Sequence, residues 1–182
     1  MTEGIGVQAV EILLSQDQIH RRVHELGIAI AKDYRGRKPH LVGVLKGAWV
    51  FMADLIRQLD FEVTVDFLGI TSYGAGVQSS GEVKITKDLD VSIEGREVLI
   101  VEDILDTGRT YKFLQEVLSV HKPRSLKLVA LLDKVSRRVV PVYADYVGFE
   151  IPDVFVVGYG LDFNQQYRQL PDIRVLRSLS SV

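Results

Sequence analysis

Cysteine is absent from this 182-residue chain. Its absence excludes disulfides, thiolate catalysis and cysteine-ligated metals. No apolar run reaches the length of a transmembrane helix, and no charged-then-apolar leader opens the sequence. The expectation is a soluble, cytoplasmic protein with no membrane partner. Positive charge is not in excess either, since 22 Lys and Arg face 24 Asp and Glu for a net charge of −2. No global basic field points to nucleic acid, so an anionic ligand needs locally placed Lys and Arg. Internal repeats, low-complexity tracts and linkers are missing as well. No Gly-x-x-x-x-Gly-Lys-Ser/Thr loop occurs, which removes the Walker-type nucleotide site. The length, with a hydrophobic share of 47%, suits one globular domain over residues 1–182 with a sizeable core.

What is present is organised around Val98-Leu-Ile-Val-Glu-Asp-Ile-Leu-Asp-Thr-Gly-Arg-Thr110. Val98 to Val101 reads as a strand buried on both faces. It runs into the carboxylates Glu102 and Asp103, then Asp106, then Thr107-Gly108-Arg109-Thr110. From Tyr111 the apolar spacing turns helical. In a parallel sheet this puts an acidic loop at the carboxyl end of a strand, where ligands bind. N–H groups at the helix start suit a phosphate, and Gly108 allows close approach. The Thr107 and Thr110 hydroxyls and the Arg109 charge add hydrogen bonds. The carboxylates would repel a phosphate, and they suit sugar hydroxyls or a hydrated Mg²⁺. A phosphate cradle beside a carboxylate pair describes a ribose-phosphate site. The bland alternative is a solvated acidic strand end with a capped helix.

Along the chain, Ser15-Gln-Asp-Gln18 looks like a capping box opening a helix. His20 and His24 share one face of it, more consistent with a solvated surface than with a metal site. His40 to Leu45 is a first buried strand, followed by Lys46-Gly47 and a helix from Trp49 to Leu59. Phe61 to Ile70 is a second strand. Thr71 to Gly81 is polar and glycine-rich, a surface loop or a lid. Val83 to Thr86 reads as a short strand. Ser125 to Leu132 is a strand ending in Asp133-Lys134, followed by the basic pair Arg137-Arg138. Short strands are expected near Tyr143 to Phe149, Val154 to Gly158 and Ile173 to Leu176.

The Val98–Thr110 stretch resembles the 5-phosphoribosyl pyrophosphate (PRPP) motif of the type I phosphoribosyltransferases. Val147-Gly-Phe-Glu-Ile-Pro-Asp-x-Phe-Val-Val-Gly-Tyr-Gly-Leu-Asp-Phe-Asn164 resembles the purine hood of their hypoxanthine-guanine branch. The resemblance implies an α/β, single-domain fold: a mostly parallel twisted sheet flanked by helices, with a small C-terminal hood. The core would span about residues 15–140, and the hood the N-terminal segment plus about 145–176. It implies Mg²⁺-dependent transfer of 5-phosphoribosyl from PRPP to N9 of hypoxanthine or guanine, in purine salvage. Lys46, Gly47, Glu102, Asp103, Asp106 to Thr110 and Arg168 would hold PRPP. Glu102, Asp103 and Asp162 would serve Mg²⁺. Phe155 would stack on the purine, the Val156 backbone would pair with its edge, and Asp162 would lie nearby. Lys134 would donate to the 6-oxo group and stabilise charge developing on it. Asp106 would be the general base, made basic enough by partial burial or carboxylate neighbours. Ser72 and Tyr73 would belong to a lid, the Leu45–Lys46 bond is often cis in the family, and a homodimer or homotetramer is expected. Two alternatives stay open: a xanthine-preferring or adenine transferase, and a PRPP-binding regulator without catalysis.

Overall fold

The computed structural model describes residues 7–72 and 83–178, so Tyr73 and most of the expected lid lie outside the described residues. In chain order the elements are β1 (Val7–Leu14), α1 (Gln16–Asp33), β2 (His40–Leu45), α2 (Trp49–Ile56), β3 (Thr64–Ser72) and β4 (Val83–Lys87). Then come β5 (Glu97–Leu105), α3 (Arg109–Val120), β6 (Ser125–Asp133), a 3-10 turn (Val135–Arg137), β7 (Tyr146–Glu150), β8 (Val156–Val157) and β9 (Ile173–Ser178).

One sheet has the order β4-β3-β2-β5-β6-β7. Its neighbours pair in parallel except β4, which runs antiparallel at the edge. The strand alternation explains why β5 is apolar at every position from Val98 to Val101. Leu99 and Val101 pack with Ile19, Val23, Phe51 and Leu55 from α1 and α2. Val98 and Ile100 pack with Tyr111, Leu114 and Leu118 from α3. Both faces are thus covered by helices, the usual setting of a parallel sheet. Each such side chain taken out of water stabilises by about 2 kcal/mol. The carboxyl ends of β2, β5 and β6 open on the same edge, at Leu45, Leu105 and Asp133. A second, antiparallel sheet has the order β1-β9-β8.

α1 starts with the expected capping box: Gln18 N–H donates to Ser15 Oγ and Ser15 N–H to Gln18 Oε1. His20 and His24 lie on its exposed face, His24 against Gln58. Several expectations need correction. β1 was not foreseen, because its partner β9 is at the far end of the chain. α2 stops at Ile56, and β3 starts at Thr64 rather than Phe61. Within α2, Trp49 is exposed and Phe51 is fully buried in the core.

Candidate active site

β5 does not stop before its carboxylates. Its ladder with β6 continues through Glu102↔Ala130, Ile104↔Leu132 and Leu105↔Asp133, so Glu102 and Asp103 are strand residues rather than loop residues. Glu102 is only 5% exposed. Burial pushes its carboxyl well above the usual range, and the neighbouring Asp103 pushes it further. Burial also raises Asp103, to about 6, with Asp162 adding to the rise. The Ile104 N–H, 2.9 Å from Asp103 Oδ1, and Arg168 work against that rise. Asp103 presses against the loop after β2: a Cβ added at Gly47 would lie 1.6 Å from Asp103 Oδ2. The Leu45–Lys46 peptide bond of that loop is cis.

Two cavities meet at Asp103. One, of about 260 Å³, is lined by Gly47, Glu102, Asp103, Asp106, Thr107, Gly108 and Thr110, with apolar walls such as Val44 and Ile70. The other, of about 250 Å³, is lined by Lys46, Gly47, Asp103, Asp106, Lys134, Phe155, Val156, Asp162 and Arg168. Gly47, Asp103, Ile104 and Asp106 belong to both. The first cavity has the helix start at its edge. Gly108 caps α3 in the left-handed region at φ 85°, with no side-chain cap. The first N–H groups of α3 are free of helical acceptors by geometry, which suits an anion. Arg109 is exposed and outside both linings, and its N–H donates to Thr107 Oγ1 at 3.4 Å.

The second cavity carries the groups suited to a planar ring. Lys134 is buried, 6% exposed, with Nζ 3.9 Å from Asp106 Oδ2. Arg137 reaches the other oxygen of Asp106 at 3.3 Å and also pairs with Asp153 at 3.6 Å. Partial burial or carboxylate neighbours are expected for Asp106; its side chain is 38% exposed, while the adjacent carboxylate pair is Glu102 and Asp103. Asp106 itself is flanked by two cations. Phe155 is 53% exposed, edge-on to Phe163 with centroids 5.8 Å apart. Its carbonyl accepts from Leu176 N–H, which ties it to β9. Arg168 pairs with Asp162 at 2.7 Å and donates to Gly160 O at 2.7 Å. Lys46 Nζ donates to Gln165 Oε1 at 3.4 Å. The 158–162 turn leans on the loop after β2, since a Cβ at Gly160 would lie 2.2 Å from Gly47 O.

Among the described residues no three His, Asp or Glu cluster tightly enough to cage a metal. Glu102, Asp103 and Asp162 therefore do not form one protein-only cage. The donor set still fits Mg²⁺, which takes one or two carboxylates and fills its octahedron with water and substrate oxygens. The carboxyls of Glu102 and Asp103, driven toward neutrality by burial, are groups that a divalent cation would hold ionised.

Sequence reasoning missed several residues. Tyr111 lines the first cavity and Leu161 the second, and both read as ordinary apolar positions in sequence. Asp133 and Arg138 form a buried ion pair beneath the Asp106 turn, with Arg138 donating to Leu105 O and Asp106 O. The only sequence signal was a carboxylate at a strand end four residues before a basic pair.

Known proteins share this arrangement of elements. The chain is 51% identical over 167 residues to the bifunctional protein TilS/HprT of Listeria innocua, covering 92% of this chain and 26% of that protein. This chain thus spans only a part of that longer relative. It is also 51% identical to the hypoxanthine-guanine phosphoribosyltransferase of Bacillus subtilis, over 92% of this chain and 93% of that protein. A solved hypoxanthine phosphoribosyltransferase from Staphylococcus aureus superposes with a TM-score of 0.87 at 49% identity, covering 92% of this chain and 91% of that one. The family profile described as the phosphoribosyl transferase domain matches residues 10–164. That match takes in the Gly108 turn, both cavities up to Asp162 and the sheet beneath them, and the chain belongs to the phosphoribosyl transferase domain family.

Proposed function

We propose that the chain transfers 5-phosphoribosyl from PRPP to N9 of a 6-oxopurine, hypoxanthine or guanine, releasing pyrophosphate. The observation that carries this is the shared wall between the two cavities. Asp103 and Asp106 face both, so a ribose held in one presents its C1′ carbon to a ring held in the other. Holding two reactants in such geometry replaces an improbable encounter with an intramolecular step.

In this reading the turn from Asp106 to Thr110 binds the 5′-phosphate. Glu102 and Asp103 accept from the ribose hydroxyls and would hold Mg²⁺, with Asp162 at a second position. Bound there, Mg²⁺ would neutralise charge on the departing pyrophosphate. Lys46, Gly47 and Arg168 bind the pyrophosphate end. Phe155 stacks on the purine, and the Val156 backbone meets its edge. Lys134 donates to the 6-oxygen, a contact that a 6-amino purine cannot accept. As the C1′–pyrophosphate bond breaks and the bond to N9 forms, Asp106 takes the proton from the purine. Ser72 and Tyr73 belong to a lid that excludes water from the reactive ribose cation.

The chain is read as cytoplasmic and as a homodimer or homotetramer, with exposed Trp49 as an apolar anchor on α2. Size-exclusion chromatography with light scattering tests the assembly. The function is tested by a spectrophotometric assay with PRPP, Mg²⁺ and each of hypoxanthine, guanine, xanthine and adenine. Nucleotide from the first two and not from adenine supports the reading. Nucleotide from xanthine alone moves the specificity. Bound PRPP with no product from any base supports a regulator instead.

A further inference from the structure

Every backbone carbonyl of the Asp106 turn is engaged, and all but the last by one segment. Leu105 O accepts from Lys134 N–H at 3.0 Å and from Arg138 Nη1 at 3.2 Å. Asp106 O accepts from Arg138 Nη1. Thr107 O accepts from Val139 N–H at 3.0 Å and Val140 N–H at 3.2 Å. Gly108 O accepts from Lys112 N–H at 2.9 Å, within α3. The same segment touches Gly108 directly: a Cβ there would lie 2.6 Å from Val142 Cγ2 and 3.1 Å from Arg138 Cδ and Val140 O. In a planar trans peptide, C=O and the following N–H point opposite ways. Drawing the carbonyls of residues 105 to 107 toward residues 134–140 therefore turns the N–H groups of Asp106, Thr107 and Gly108 the other way. Asp106, Thr107 and Gly108 line the first cavity. Successive N–H groups turned to one side, with Gly108 left-handed, form an anion-binding concavity.

The guanidinium that makes two of these contacts is itself fixed. Arg138 pairs with Asp133 at the end of β6, and their side chains are 12% and 9% exposed. Arg138 is thus held at one end by a sheet residue and grips the turn at the other. We propose that Arg138, locked by Asp133, is a positioning residue that sets the phosphate-binding conformation of residues 105–108. This rests on reading that turn as the 5′-phosphate site. Arg138 is distinct from its neighbour Arg137, which reaches the Asp106 carboxylate from an exposed position.

The test is Arg138→Lys, with Asp133→Asn as a second variant. Lysine keeps a positive charge against Asp133, so the fold is preserved, but one ammonium cannot reproduce the planar fork that spans the carboxylate and two carbonyls. Binding of ribose 5-phosphate is measured by calorimetry, beside KM for PRPP, KM for hypoxanthine and the melting temperature. Both variants should bind ribose 5-phosphate about tenfold more weakly, the loss of roughly one charge-assisted hydrogen bond. KM for PRPP should rise in step while KM for hypoxanthine stays near wild type. Unchanged ribose 5-phosphate binding in folded Arg138→Lys overturns the proposal. Equal losses for both substrates that follow the melting temperature also overturn it, because they mark a purely structural pair. If the wild-type chain binds ribose 5-phosphate yet makes no nucleotide, the functional reading fails and the positioning role stands.

Discussion

Replacing Gly47 with alanine would force a methyl group into a space that is already filled. The new Cβ would lie 1.6 Å from Asp103 Oδ2 and 2.5 Å from its Cγ. The carboxylate would have to retreat by about 2 Å to restore a non-bonded separation of ~3.5 Å. Asp103 cannot retreat freely, because β5 is paired with β2 on one side and β6 on the other. The loop cannot retreat either, because Gly47 O already sits against Gly160, where even a Cβ would be 2.2 Å away. Something must give at a contact shared by both cavities. Overpacking of this kind costs about 2 kcal/mol. For a chain of this size that lowers Tm by roughly 4–8 °C. A misplacement of ~1 Å at a reacting centre costs about 10²-fold, so kcat/KM for PRPP should fall by about that factor. Thermal melting and steady-state assays at a temperature well below the melt measure the two separately. If Tm falls as expected but kcat/KM for PRPP stays within about threefold of wild type, Asp103 is not placed by Gly47 for any ligand, and the argument fails.

Other substitutions probe the remaining groups. Asp106→Asn should lower kcat by about 10²–10⁴-fold while PRPP binding, followed by calorimetry, changes little; an unchanged kcat removes Asp106 as the base. Lys134→Gln should cost about 10²-fold with hypoxanthine and narrow its advantage over adenine, and a preserved preference shows that Lys134 does not read the 6-oxygen. Phe155→Ala should raise KM for hypoxanthine about tenfold, as losing one base-aromatic stack does, with PRPP unaffected. Burial, reinforced by Arg96, lowers the pKa of His40, whose Nε2 is buried with no partner among the described residues. The unfolded chain then binds the extra proton first, so stability is full above ~6.5 and is lost as pH falls below that value. A pH series of Tm should show this slope, and His40→Gln should flatten it.

The central stretch was legible because burial on both faces leaves an unbroken apolar run, and Val98 to Val101 has no other economical explanation. The same logic failed at the very next residue. Glu102 and Asp103 read as the end of the strand, since buried carboxylates are rarely tolerated in a ladder. Here the ladder runs on through them, and the expense of burial appears as their raised pKa values. Arg137 and Arg138 look alike in sequence, yet the fold sends one to an exposed carboxylate and the other beneath the turn. Nothing local separates them, because the partners lie elsewhere: Asp106 just past the end of β5 and Asp133 at the end of β6. Lys134 and Phe155 likewise showed their burial and exposure only in three dimensions. β1 was invisible for a related reason: its pairing depends on residues at the opposite end of the chain.

That pairing has a consequence for how the molecule is made. β1 joins β9 from Val7↔Ser178 to Leu14↔Ile173, so β1 waits for a partner strand that is synthesised much later. The six-stranded sheet can assemble from neighbours closer in sequence while β1 still presents an unsatisfied edge. β8, and with it the backbone of Phe155, is anchored to β9 in turn. A nascent chain would thus complete its Asp106–Thr110 turn well before the Phe155 wall of the second cavity was fastened, and a stall before β9 emerged would leave half of the candidate site built beside an open strand edge.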